Sequence, residues 1–138
     1  MKLYELVIPK QAKVPILASI PHSGVYIPLD IQKQFIKNPQ PVLTNMDWYV
    51  DKLYDFLPEL GVTVLQATHS RYVVDLNREV KEPLFGPAIS SVIFAENTQG
   101  SRLYDIEPTK AEIEARLNAY YYQYHNQLKA VLQEIIGN

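Results

Sequence analysis

The chain has 138 residues, 47% of them apolar and 20% charged, with 13 Lys and Arg against 15 Asp and Glu. That is enough chain for one domain with a real core, and a formal net charge of -2 lacks the cation surplus with which a general nucleic-acid binder neutralises phosphates. The absence of cysteine excludes a disulfide framework, a zinc finger and a thiol nucleophile, so any metal site must be built from His, Asp, Glu and water.

No apolar run approaches the ~20 residues that span a bilayer, and residues 1–10 lack the long apolar stretch of a secretion signal. The expectation is a single domain over residues 1–138 that sits in the cytosol and engages neither membrane nor nucleic acid.

Taken in chain order, Val14-Pro15-Ile16-Leu17-Ala18-Ser19-Ile20 predicts a buried strand. It runs into Pro21-His22-Ser23-Gly24, a breaker cluster that marks a loop at the strand's C-terminal end. Asp30 to Phe35 reads as a short helix and residues 37–41 as a turn. Thr44 opens a longer helix, with Asp47 three residues on as a variant of the capping box. Its apolar stripe is Met46, Val50, Leu53, Leu57 and Leu60; Pro58 ends the regular part early and Gly61 stops the helix. Val62 to Ala67 predicts a second strand and Arg71 to Leu76 a third. Residues 83–87 read as loop and Ser90 to Ala95 as a further strand. In the last helix Thr109 and Glu112 form a capping box ahead of Ile113, Leu117, Tyr120, Tyr121, Tyr124, Leu128, Val131, Leu132 and Ile135 at helical spacing.

Strands alternating with helices indicate an α/β sheet with helices on its faces. The polar groups just after the strands then gather at one sheet edge, where open α/β folds bind ligands. Three groups stand out there. His22, on the loop after a buried strand, is held rigidly and suits a metal ligand or general base; a loop histidine that only bonds backbone fits the position as well. Asp47 and Asp51 share a helical face, and either carboxylate could join His22 on a metal, although an aspartate in a first turn also stabilises a helix without other duty.

The third group is Ser70-Arg71-Tyr72-Val73-Val74-Asp75-Leu76-Asn77-Arg78. As a strand it would put Arg71, Val73, Asp75 and Asn77 on one face. The Asn77-Arg78 pair offers an amide and a guanidinium fork, a natural clamp for a carboxylate, and an internal Asp75–arginine salt bridge is the competing reading. His125 reads as packing within the tyrosine-rich stripe, and His69 as a strand-end residue or a second site group. Ser23 has no evident base, which disfavours a serine hydrolase. Five glycines are too scattered for a phosphate loop.

Residues 21–28, Asp47-Trp48-Tyr49-Val50-Asp51-Lys52-Leu53-Tyr54 and residues 70–78, with Thr98-Gln99-Gly100, Leu103-Tyr104 and residues 121–128, resemble in order and spacing the N-formylglutamate amidohydrolase family. The resemblance implies a fold like that of zinc carboxypeptidases and aspartoacylases (phosphorylase/hydrolase-like), a three-layer α/β/α arrangement around a mixed, mostly parallel sheet with one catalytic zinc. It implies His22 as first zinc ligand and Asp47 as carboxylate ligand, with Asp51 as fallback. It further implies Arg71 as the group that polarises the scissile carbonyl, and Asn77 and Arg78, with Ser23, as substrate-binding residues. The implied reaction is metal-assisted hydrolysis of N-formyl-L-glutamate, or a related acidic N-acyl amino acid, to formate and glutamate.

Family members are longer, and the resemblance implies a third zinc ligand in a later Asp-Gly-His-type segment and a general-base glutamate later still. Both lie beyond residue 138, so the expectation is a fragment or a short relative without activity, unless His69 or His125 has been recruited. Two rivals remain: a metal-free module that binds acidic small molecules, and an assembly domain whose final helix exposes Tyr120, Tyr124 and Leu128 to another copy in a homo-oligomer.

Overall fold

A computed structural model describes residues 2–11, 13–37, 39, 52 and 54–137. Among them the main sheet has three strands in the order β1 (Tyr4–Val7), β3 (Thr63–Ala67), β2 (Leu17–Ile20). The sheet is mixed: β2 runs parallel to β3, with Leu17 opposite Thr63, and β1 runs antiparallel to it, with Tyr4 opposite Ala67. A second, two-stranded parallel sheet joins β4 (Phe85–Gly86) to β5 (Ile93–Phe94). The helices are α1 (Leu29–Gln32), α2 (Lys110–Arg116) and α3 (Tyr122–Gly137), with a π turn over Leu117–Tyr121 between the last two.

Strand alternation divides the apolar residues of β3 between two cores. Leu65 and Ala67 join the main cluster with Ile27, Phe35, Tyr72, Val73, Phe94, Leu103 and Tyr124, whereas Val64 packs with Ile20 and Val62 on the opposite face. Helix α3 covers the first face: the Tyr124 hydroxyl lies 3.2 Å from the Leu65 carbonyl and 2.9 Å from Ser19 Oγ. Leu57, from a 3-10 turn over Leu57–Leu60, packs on the second. The chain is therefore α/β with a mixed sheet, as the sequence predicts.

Agreement is good at the strands β2 and β3, the short helix α1 and the last helix, where Thr109 and Glu112 form the full reciprocal capping box. Gly61 also ends its helical segment as expected, in a left-handed conformation (φ 85°) with its N–H turned back to the Leu57 and Pro58 carbonyls. Leu60, assigned to an apolar stripe, is 61% exposed. The rest of the helix expected from Thr44, with Asp47 and Asp51, lies outside the described residues apart from Lys52 and 54–60, as does part of the 37–41 turn.

Three expectations need correction. Strand β1 was not anticipated, because four residues give too short an alternation to stand out. Strand β4 falls inside the stretch read as loop. Most important, residues 71–76 form no strand. The reason is local: Ser70 Oγ accepts the Tyr72 N–H at 3.1 Å, the Ser70 carbonyl accepts from Val73, and Asp75 Oδ1 accepts the Asn77 N–H at 2.9 Å. These serine and aspartate turns satisfy the backbone in place of a ladder, so the alternation of faces drawn from a strand does not apply.

Candidate functional site

Because β2 and β3 are parallel, their C-terminal ends emerge at the same edge of the sheet, and the chain leaves β2 into Pro21-His22-Ser23-Gly24 beside residues 68–70. Three backbone-level contacts lock the two segments together. Ser23 Oγ donates to the Ala67 carbonyl at 2.8 Å, Tyr26 N–H to Thr68 O at 3.1 Å, and Ser70 N–H to Tyr26 O at 2.8 Å. Gly24 is required by the closeness of the approach, since a Cβ there would overlap the carbonyl carbon of Thr68 and the backbone N and O of His69.

The locked loop aims His22 at the irregular 71–78 segment. Its Nε2 lies 2.6 Å from Asp75 Oδ1, and the other carboxylate oxygen accepts from Arg71 Nη2 at 3.0 Å. Arg78 Nε stands 3.9 Å from the same Oδ2. Asp75 is wholly buried (0% exposed), while the side chains of His22, Arg71 and Arg78 keep 13%, 17% and 25% of their surface exposed. One buried carboxylate thus gathers an imidazole and two guanidinium groups at the surface of the core.

Burial by itself pushes the Asp75 carboxyl upward. The hydrogen bond and charge of His22, the Asn77 N–H and the Arg71 guanidinium outweigh it and hold the group below its ordinary value. Asp75 is therefore an anion, as a buried carboxylate with this many donors must be. Phe94 braces the cations from another side, its ring 5.7 Å from the Arg71 guanidinium carbon and 5.4 Å from that of Arg78. Arg78 also reaches the Ser91 carbonyl at 3.5 Å.

The structure thus brings together His22, Arg71 and Arg78, with Asn77 exposed beside them. Ser23, expected near substrate, gives its hydroxyl hydrogen to the loop's own framework at Ala67. The other two histidines are placed elsewhere. His69 is buried, with its ring centroid 5.0 Å from those of both Tyr26 and Tyr120, and Nδ1 3.0 Å from Thr68 Oγ1. His125 packs against Tyr121 at 4.4 Å and donates through Nε2 to the Leu76 carbonyl at 2.8 Å. Sequence reasoning weighed the Asp75–arginine pair only as an alternative to a site, and missed Phe94. The signal for Asp75 was available: a carboxylate flanked by arginines four residues before and three after it can serve both.

For a metal, the test lies in His22. Nε2 is held by Asp75, and a carboxylate behind a metal-binding imidazole is the usual way of fixing its tautomer and direction. The donor chemistry therefore fits one ligand and its orienting partner. Among the described residues no cluster of three His, Asp or Glu suited to a metal occurs, and Asp47 and Asp51 lie outside them.

The helical stripe bears on the assembly rival. Tyr124 is 1% exposed, and Tyr120 and Leu128 pack partly buried against the main core, so that stripe is not the exposed patch the assembly reading expects. No helix among the described residues is long and apolar enough to cross a membrane.

Comparison with known proteins agrees with the geometry. The sequence profile described as N-formylglutamate amidohydrolase matches residues 14–137. The chain is 33% identical over 129 residues to the N-formylglutamate deformylase of Pseudomonas aeruginosa, and 30% identical over 128 residues to that of Pseudomonas putida. In each case the match takes in 91% of this chain and 48% of the relative, so the chain spans about half the length of the curated relatives it matches. A crystal structure of N-formylglutamate amidohydrolase from Ralstonia eutropha JMP134 superposes with a TM-score of 0.79 at 26% identity, over 98% of this chain and 52% of that one. A match along nearly the whole sequence, carrying the His22 loop and the Asp75 cluster with it, shows that the chain belongs to the N-formylglutamate amidohydrolase family.

Proposed function

We propose that the chain binds N-formyl-L-glutamate, or a related acidic N-acyl amino acid, at the Asp75 cluster and takes part in its zinc-dependent hydrolysis to formate and glutamate. The observation that carries this reading is the convergence of His22, Arg71 and Arg78 on one buried carboxylate. The deformylase names of the Pseudomonas relatives support the substrate.

Each group has work that its position suits. Arg78, the most open of the three, offers its guanidinium fork to a substrate carboxylate, with the exposed Asn77 amide beside it. A formyl group is too small to supply much binding energy, so the carboxylates must, and a cationic clamp meets that need. Arg71, held by Asp75 and Phe94, is preorganised to stabilise negative charge growing on the formyl oxygen. Asp75 holds His22 through Nε2, as a carboxylate behind a metal-binding imidazole does. Asp47, with Asp51 as fallback, is the proposed carboxylate ligand. When bound, zinc supplies a Lewis acid that polarises the amide carbonyl and makes water acidic near neutral pH.

The test is binding of N-formyl-L-glutamate, and formate release from it, by the purified chain, with added zinc and with a chelator. The reading expects zinc-dependent binding of the substrate that chelation and His22→Ala both abolish, with formate released only where the third ligand and general base implied by the family resemblance are supplied. Affinity for the substrate that ignores zinc and chelator, without turnover, would replace it by a metal-free binding module. Neither binding nor turnover would leave an assembly domain.

A further inference from the structure

Without a strand ladder, the 73–78 segment must find other donors for its carbonyls. It finds them in side chains of the C-terminal helical region. Arg116 Nη1 donates to Val73 O at 3.2 Å, His125 Nε2 to Leu76 O at 2.8 Å, and Tyr121 Oη to Arg78 O at 2.6 Å. Three side chains along one helical stretch therefore hold three carbonyls along the segment that carries Asp75, Asn77 and Arg78.

The π turn makes that alignment possible. In an α-helix, residues five apart diverge by about 140°, so Arg116 and Tyr121 would face different ways. Over Leu117–Tyr121 the helix instead closes from residue i to i+5, with the Tyr122 N–H bonded to the Leu117 carbonyl. Residues five apart then diverge far less than in an α-helix. His125, one α-turn after Tyr121, continues the row and lays its ring on the tyrosine ring at 4.4 Å. The wider turn costs regular hydrogen bonding, and what it gives is a row of donors set against an irregular segment.

We propose that Tyr121 and His125 are positioning residues for the Asn77–Arg78 clamp: their hydrogen bonds to the carbonyls of Arg78 and Leu76 set the backbone from which the clamp projects. The role in binding rests on the function proposed above; the role in ordering residues 76–78 does not. Tyr124 provides the internal control, because its hydroxyl sits on the same helix but serves Ser19 and Leu65 in the sheet.

Two measurements on the full chain separate the claims. Amide hydrogen exchange at Asn77 and Arg78, whose N–H groups bond Asp75, is compared with exchange in β3 for the wild type, Tyr121→Phe, His125→Leu, His125→Gln and Tyr124→Phe. Calorimetry with N-formyl-L-glutamate follows on the same set. Tyr121→Phe and His125→Leu should each speed exchange at Asn77 and Arg78 about tenfold relative to β3 and weaken binding by about the same factor, as expected for one lost hydrogen bond. His125→Gln, which keeps a donor, should restore most of both. Tyr124→Phe should lower thermal stability with no selective change at the clamp. Equal effects of Tyr121→Phe and Tyr124→Phe on Asn77 and Arg78 exchange would overturn the proposal. If the wild type shows no affinity for N-formyl-L-glutamate, the functional reading fails, and the exchange data still decide the positioning role.

Discussion

His22 Nε2 and Asp75 Oδ1 meet at 2.6 Å across 53 positions of sequence, and the buried carboxylate that receives the imidazole also holds Arg71. Removing its charge should be costly. Asp75→Asn keeps the shape but leaves two cations and an imidazole without their anion, and breaking a buried pair of this kind costs about 3 kcal/mol. Urea unfolding at neutral pH checks this; a loss under about 1 kcal/mol would mean that the cluster is held together by something else.

The same carboxylate gives an acid-limb prediction. Its folded pKa lies below the ordinary carboxylate value because His22, Asn77 and Arg71 outweigh burial. A depressed acid stabilises the fold above its unfolded pKa, and that contribution is lost as pH falls through the lower folded value. Wild-type stability should therefore drop steeply below about pH 4, and Asp75→Asn, already weaker, should show a shallower acid limb. Parallel limbs would contradict the assignment.

His69 should dominate a different window. Burial lowers its pKa, so the neutral ring is favoured in the fold, and the unfolded chain takes up a proton first as pH falls. Stability should decline as pH drops below about 6.5, and His69→Phe should remove that slope while keeping the aromatic packing on Tyr26 and Tyr120. Urea unfolding at pH 7, 6 and 5 for both proteins isolates the difference.

Gly24→Ala tests how the loop is locked. The added methyl would overlap the backbone of Thr68 and His69, which cannot swing aside as a side chain could. A stability loss of about 2 kcal/mol is expected, with His22 displaced from Asp75. Thermal unfolding measures the first, and the His22 ring resonances in NMR report the second.

Much of this architecture is written locally in the chain. The last helix follows from the Thr109/Glu112 box and its apolar spacing, and β2 and β3 follow from short β-rich runs ended by Pro21 and by Thr68. Residues 71–76 misled because Tyr72, Val73 and Val74 carry strand propensity, whereas Ser70 and Asp75 decide the backbone through side-chain bonds that propensity does not register. The Asn77–Arg78 pair was legible as a clamp from its residue types, but spacing read as a strand put Arg71 and Arg78 on opposite faces, and only the family resemblance grouped them. Their meeting with His22 was legible only through the family resemblance, since parallel pairing of two distant strands creates it. The π turn was not legible at all: it changes which residues share a face without changing the apolar pattern that marks the helix.

The central claim, a cationic clamp built on Asp75, is tested most directly by titrating the chain with N-formyl-L-glutamate in a calorimeter, for wild type and Arg78→Ala. Loss of a charge-assisted contact should weaken binding by about tenfold to a hundredfold, while unfolding of the variant stays cooperative. Equal affinity in the two proteins would contradict the account and leave the Asp75 cluster as a structural ion network alone.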